Sequence, residues 1–273
     1  MVQEIHPHDF SELLQIVQQQ YGYDFTGYSP FSLKRRIIRF MAYCNARSLA
    51  ELRYRLLYES GFFLEMLQFI TVNVTEMFRD PSFYRQLREQ IIPRLASYPI
   101  IKIWHAGCAT GEEVYSMAIL LEEAGLLDRC RIYATDLNEA NLIKAESGCM
   151  PLKVMKEYTQ NYIQAGGIED FSNYYSVKHQ QAILDPWLLR NIIFFQHNLV
   201  TDQVFNEFQL ICCRNVFIYF NKELQDHVVK LFYDSLASLG YLALGIKESM
   251  LYNKERTNFE TISSANKIFR RKS

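Results

Sequence analysis

Three short polar stretches follow apolar runs, and each holds side chains able to grip a small ligand. The first, "HAGCATGEEVYS" at residues 105–116, follows "IIKIW" and sets two glycines before two glutamates. Glycine lets the backbone turn tightly and approach a ligand closely, which marks Gly107. A helix start stabilises carboxylates such as Glu113 through its exposed N–H groups. The second stretch, "ATD", ends on Asp136, a carboxylate suited to accept hydrogen bonds from ribose hydroxyls. The third, "CRNVFIYF", carries Arg214 and Asn215 beside an aromatic cluster that contains Tyr219. In an open α/β sheet, ligands bind at the carboxyl ends of the strands, so all three stretches are candidates. Each also has an ordinary structural reading: Glu112 and Glu113 as solvated acids, Asp136 as a helix N-cap, Asn215 as a turn residue.

The glycines form neither GxGxxG nor GxxxxGK[ST], which turns the reading from dinucleotides and triphosphates towards a nucleoside without phosphates. Adenosine carried on S-adenosylmethionine (SAM) meets that description, and transfer of its methyl group requires no metal. None of the six cysteines (44, 108, 130, 149, 212 and 213) forms a CxxC pair, and His6 and His8 read as a solvated end, so no metal site is expected.

The elements that position these residues are legible from periodicity. Residues 1 to about 92 read as helices. "FSLKRRIIRFMAYC" puts Leu33, Ile37, Phe40, Met41 and Cys44 on one stripe and turns Arg35, Arg36 and Arg39 outward. "SLAE" at 48–51 is a capping box, and Asp80 with Pro81 marks an N-cap and first helical residue. From residue 93 on, strands alternate with helices, the pattern of βαβ units and a mainly parallel sheet. The final long helix is expected to stop at Gly240. Residues 167–197, with the aromatic pieces "FSNYYSV" and "NIIFFQHN", read as a small antiparallel insertion.

The chain has 273 residues, 49% hydrophobic, and a formal charge of −1, so no overall field points to nucleic acid or membrane. The cysteine pattern and the lack of a leader or long apolar span lead to an expected cytoplasmic location. Charge is uneven: from Lys34 to Arg55 seven basic residues face Glu51 alone, while the terminal "RRK" reads as a solvated tail.

On five motifs in order, the sequence resembles the chemotaxis receptor methyltransferases, the CheR-type protein-glutamate O-methyltransferases. These are "NVTEMFRD" (73–80), "TGEEVYS" (110–116), "ATD" (134–136), "HNL" (197–199) and "CRNVFIYF" (213–220), with a closing "GIKES". The resemblance implies a Rossmann-like SAM-dependent methyltransferase sheet with an N-terminal helical domain and the β insertion. It further implies that Asn73, Thr75, Arg79, Glu113, Asp136, Asn198, Leu199, Arg214 and Asn215 line the SAM site. The structural alternatives are capping for Asn73 and Thr75, a surface ion pair for Arg79, a turn for Asn198 and core packing for Leu199.

The implied reaction leaves S-adenosylhomocysteine (SAH) and a glutamate methyl ester. A glutamate carboxylate attacks without a general base, so placement and water exclusion are the expected contributions. Tyr219 and Arg79 are the candidates for that placement, with a core aromatic as the alternative for Tyr219. The Arg35, Arg36 and Arg39 face suits the acidic helical methylation region of a chemoreceptor. A monomer is expected, without nucleic acid and without insertion into the membrane. Some family members dock a receptor C-terminal peptide on the insertion through a glycine-containing loop. Here "KHQQAILDPWLLR" holds no glycine, which speaks against such tethering. The competing reading is a SAM- or SAH-binding adaptor without catalysis.

Overall fold

A computed structural model of the chain describes residues 5–71 and 73–273. Helices α1 (Pro7–Tyr21), α2 (Pro30–Tyr43), α3 (Leu49–Tyr58) and α4 (Phe62–Ile70) close around Leu13, Phe25, Leu33, Ile37, Phe40 and Leu52. Ser48 caps α3 by accepting from Glu51 N at 3.1 Å, whereas the Glu51 carboxylate accepts from Arg47 N, one residue before the capping-box position. The basic surface is smaller than its composition suggests. Arg53 pairs with Glu12, Arg55 with Glu59, and Lys34 donates to Ile5 O, which leaves Arg35, Arg39 and Arg47 exposed.

Arg36 corrects the outward expectation, because only 6% of it is exposed. Helix α2 has two packing partners, the front core and an aromatic turn of the sheet domain, so its buried arc is wider than one apolar stripe.

Helix α5 (Pro81–Gln86), a π-helical turn at Leu87–Ile91 and α6 (Ile92–Leu95) form one continuous rod. Pro93 has no N–H and crowds the carbonyl four residues back, which accounts for the widened turn before it. Phe83, Tyr84, Leu87, Ile91 and Leu95 join the sheet core, not the front. The sequence reading groups residues up to about 92 with the front, yet Met77 and Phe78 also pack in this sheet core. Asp80 stands at the N-cap position, but its side chain makes no capping bond.

The strands are β1 (Ile101–Ala106), β2 (Cys130–Asp136), β3 (Cys149–Pro151), β4 (Tyr175–Lys178), β5 (Gln181–Leu184), β6 (Ile192–Gln196), β7 (Phe208–Cys213), β8 (Leu236–Leu244), β9 (Phe259–Ser263) and β10 (Ile268–Arg271). The main sheet runs β6-β2-β1-β7-β8-β10-β9; its first five strands are parallel, and β10 is antiparallel to both neighbours. Helices α7 (Glu112–Glu123), α8 (Glu139–Glu146), α9 (Met155–Gln164), α10 (Pro186–Leu189) and α11 (Lys222–Ser235) complete the fold. Alternation divides the strands between two cores. Ile103, Leu210 and Cys212 face one, while Trp104, Ile211 and Cys213 face the other.

Four expectations change. The insertion is the three-stranded sheet β3-β5-β4, which begins at Cys149 and closes at Leu184. "NIIFFQ" is instead the β6 edge of the main sheet, parallel to β2. Helix α11 ends at Ser235 and the chain enters β8 at once, so Gly240 lies inside a strand at a register shift. The terminal arginines are not a solvated tail: Arg270 pairs with Glu260 and Arg271 donates to Tyr233 O at 3.0 Å.

The front joins the sheet domain through main-chain bonds. Tyr28 bridges Phe220, Ser29 N donates to Tyr219 O at 2.7 Å, and Asn221 N donates to Gly27 O at 2.8 Å. Deep in the sheet, the buried Trp104 Nε1 donates to Thr135 Oγ1 at 2.8 Å. Thr135→Val keeps the shape and removes the acceptor, so urea unfolding should lose about 1–3 kcal/mol, the cost of an orphaned buried donor. An unchanged midpoint would mean that the indole finds another partner.

Candidate active site

Beyond the C-terminal ends of β1, β2 and β7 lies a cleft of about 990 Å³ including its open mouth. Its floor begins at Gly107, whose φ of 76° is left-handed. A Cβ there would stand 2.6 Å from a Val216 methyl, so only glycine fits. Gly107 N and Cys108 N donate to Thr135 O at 2.8 and 2.9 Å, which ties this turn to the end of β2.

Asp136 closes β2 and does not cap the following helix; Asn138 does, accepting from Ala140 N at 3.0 Å. Asp136 Oδ1 accepts from Asn138 N at 2.9 Å and Asn141 Nδ2 at 3.1 Å, and Oδ2 accepts from Ala109 N at 2.9 Å. A carboxylate offers about four acceptor positions, so Oδ2 keeps capacity for a ligand hydroxyl. Burial pushes the Asp136 carboxyl above the usual aspartate range, against the pull of these donors. The other Asn141 contact runs from its Nδ2 to Asn73 Oδ1 at 2.9 Å, holding the 73–80 segment over the cleft.

Under that segment lies a buried charge network. The Arg214 side chain is 1% exposed and donates to Glu113 Oε2 at 2.9 Å, Asp80 Oδ2 at 2.7 Å and Arg79 O at 2.9 Å. Its guanidinium lies 4.1 Å from the Phe83 ring centre, so a planar cation is sandwiched on apolar surface. The second Glu113 oxygen meets His105 Nδ1 at 2.8 Å. Burial opposes ionisation of Glu113, but the His105 contact and the Arg214 charge outweigh it and hold its carboxyl below the ordinary glutamate value. Neither first-turn acid is solvated: Glu112 is buried and accepts from Thr110 Oγ1 at 2.6 Å. His105, Glu113 and Cys212 bring potential metal-ligand atoms within 4.8 Å of one another. Both Glu113 oxygens are already engaged, however, and burial keeps the Cys212 thiol well above its ordinary pKa.

The cleft brings together every residue expected from the sequence to hold the cofactor. Asn73, Thr75 and Arg79 come from the linking segment, Gly107 and Glu113 from the β1 turn, and Asp136 from β2. Asn198, Leu199, Arg214 and Asn215 complete the wall. Asn198 is also a turn residue, accepting from Val200 N at 3.0 Å, and Leu199 is also core. Arg79 has no carboxylate partner among the described residues and donates to Val74 O at 3.0 Å. Tyr219 faces the cleft too, with the Arg36 guanidinium 4.1 Å from its ring centre. Arg36 donates to Ile70 O and lines the same cleft, whereas Arg35 and Arg39 lie outside it.

Sequence reasoning missed His105, Asn141 and Tyr28. Asn141 stands three residues after the Asn138 cap, on the same side of α8, a spacing that is visible in the sequence. Nothing local marked His105 or Tyr28, since each depends on a partner far along the chain.

The sequence matches two family descriptions: "CheR methyltransferase, all-alpha domain" over residues 8–71 and "CheR methyltransferase, SAM binding domain" over residues 73–268. A Pseudomonas putida protein provisionally named a methyltransferase, Cher3, is 46% identical over 95% of each chain. A chemotaxis protein methyltransferase of Listeria innocua is 33% identical over 89% of this chain and 90% of its own.

Glu113→Gln weakens the grip on Arg214 and should lower stability by about 1.5–3 kcal/mol, the scale of hydrogen bonds to charged groups. Because the folded-state pKa of Glu113 is depressed, its contribution is fully present above the unfolded value, about 4.3. It is lost as pH falls through the lower folded value. Denaturation followed from pH 7 downward should therefore show a shallower acid loss in the variant; parallel curves would assign the acid limb to other groups.

Proposed function

The chain belongs to the CheR methyltransferase family with SAM as its cofactor, and from that premise we propose that it converts chemoreceptor glutamates to methyl esters. The observation that carries this reading is the shared wall of the cleft. Arg36 of the helical front and Tyr219 of the sheet domain meet over the residues expected to hold SAM.

The donor set fits SAM. The spare Asp136 acceptor suits ribose hydroxyls, the Gly107 turn admits close approach, and ionised Glu113 favours the positive end of the methionine moiety. When bound, SAM supplies an electrophilic methyl carbon beside a sulfonium leaving group. The acceptor carboxylate is already ionised at neutral pH, so the chain need not remove a proton. Arg36 attracts that carboxylate and the Tyr219 hydroxyl donates to it. Burial lowers Arg36 from its ordinary value, yet a guanidinium stays cationic. Arg79, without a carboxylate partner among the described residues, adds a second positive charge at the linking segment. Charge is neutralised as the methyl group moves, which a site closed to water favours.

The exposed Arg35 and Arg39 extend the same attraction outward, towards the acidic face of a receptor helix. Direct docking of this kind needs no receptor C-terminal peptide. The hairpin between β4 and β5 turns on His179 and Gln180 alone, both left-handed, and leaves no open glycine loop. No helix among the described residues is long and apolar enough to cross a membrane.

Incubation with methyl-labelled SAM and receptor-bearing membranes should yield base-labile label on receptor glutamates. Binding of SAM without any ester would make the protein an adaptor, and base-stable label on another acceptor would move it to a different substrate class. Arg35→Glu with Arg39→Glu should leave SAM affinity intact while methylation falls sharply. Rising salt should slow the wild type, since exposed charges are screened over about 8–10 Å. Equal rates across a salt series would reduce this face to solvated surface.

Asp136→Ala should weaken SAM about ten- to hundred-fold, the loss expected for a charged hydrogen-bond partner. A ligand that donates to the ionised form lowers the pKa of Asp136, so affinity is full above that pKa and falls as the group protonates. Because the free protein holds Asp136 above the usual range, this loss should begin at a higher pH than for an ordinary aspartate. Asp136→Asn should abolish that pH dependence; calorimetry that finds the same slope in the variant would remove Asp136 from the ribose.

A further inference from the structure

Glu248 follows β8, is 4% exposed, and does not line the cleft. Its carboxylate gathers main-chain donors from two separate loops. Oε2 accepts from Gly245 N at 2.5 Å and from Asn215 N at 3.1 Å, while Oε1 accepts from Ile218 N at 3.3 Å. The loops are so close that a Cβ at Gly245 would stand 2.8 Å from both Asn215 N and Glu248 Oε2. Asn215 holds a left-handed φ of 63°, a conformation that persists when its surroundings enforce it. Ile218 is the middle residue of the short 3-10 turn Phe217–Tyr219. Asn215 and Tyr219 are thus the two cleft-facing ends of one loop, which this carboxylate ties to the Gly245 turn.

We propose that Glu248 is a positioning residue for methyl transfer: it locks Asn215 and the turn that carries Tyr219, and so aims Tyr219 at the acceptor carboxylate. The reading rests on the methyltransferase function above. All three contacts are acceptances, which a carboxylate satisfies and a primary amide does not. In Glu248→Gln the remaining oxygen serves Gly245 and Asn215 best, which leaves the amide NH2 against Ile218 N. Two donors then face each other under the Tyr219 turn, while the Asn215 side is kept.

The test compares wild type, Glu248→Gln, Tyr219→Phe and the double variant by receptor methylation kinetics and SAM calorimetry. Glu248→Gln should lower kcat about tenfold or more, with receptor KM and SAM affinity held within about threefold. Added to Tyr219→Phe, it should cost less than about threefold more, because both act through one side chain. An unchanged kcat, a loss confined to KM, or full additivity with Tyr219→Phe would overturn the proposal. If the variant does not fold, amide hydrogen exchange on the wild type decides: Gly245, Asn215 and Ile218 should be strongly protected, and rapid exchange would refute the clamp. Failure of the wild type to form esters would instead refute the proposed function, and the exchange measurement would still read the clamp.

Discussion

The arrangement depends on one buried cation. Arg214 leaves the end of β7 and joins two stretches far from it in sequence: residues 79–83, through Arg79 O, Asp80 and the ring of Phe83, and Glu113 of α7. A lone guanidinium at 1% exposure is costly, and two carboxylates with an acceptor carbonyl compensate for it only in this geometry. The network is therefore a constraint on position more than a source of stability. If the linking segment moved outward, Arg214 would lose Asp80 and the Arg79 carbonyl together. The covering segment of the cleft is held shut from beneath by charge and from the side by Asn141 and Asn138, whose amides reach Asn73 and Thr71.

Backbone conformation around the cleft follows from the same crowding. Phe78, Asp80, Ala109 and Asn215 all adopt left-handed φ values although none is glycine, and Gly107 and Gly111 do so beside them. Side-chain-bearing residues rarely take this conformation, and each instance costs energy that neighbours must offset. Here the offsets are visible. Arg214 holds Asp80, the Asp136 carboxylate accepts from Ala109 N, and Ser116 Oγ accepts from Phe78 N at 2.8 Å. Chain ends of several strands meet in a small volume, and their turns reverse direction within single residues. Polar side chains replace the hydrogen bonds that regular structure would have supplied.

Much of this was legible in the sequence. Strand–turn–helix alternation and the glycine turn rest on local periodicity and backbone freedom, which act over a few residues, so β1, α7, β2 and α8 stand close to where the pattern predicts. The residues expected to line the cofactor site do line one cleft, because each ends a strand or sits in the segment that covers those ends. What escaped was non-local. Arg36 reads as outward, off the stripe of α2, and the Tyr219 turn arriving from the other domain covers it. Asp80 reads as an N-cap because it precedes Pro81, but Arg214, far along the chain, claims its carboxylate. "NIIFFQ" is an aromatic, strand-like run, and nothing local to it tells whether it pairs with the insertion or with β2. Helix α11 runs into β8 with no breaker, so Gly240 drew the boundary too late.

The two halves of the cleft answer to different parts of the molecule. Gly107, Asp136 and Arg214 stand at strand ends of the sheet domain, and Glu113 opens helix α7 beside them. Arg36 and Tyr28 belong to the helical front, which reaches the cleft through main-chain bonds around Tyr28–Ser29 and Tyr219–Asn221. Tyr219 stands at the junction, its carbonyl held by the front, its ring under Arg36 and its turn anchored by the sheet domain. On the proposed function, the cofactor is gripped by the sheet domain, whereas the acceptor side of the cleft is shared with the front. In such an arrangement, disturbing the seam at Tyr28–Phe220 separates methyl transfer from cofactor binding, because the first needs both domains and the second only one.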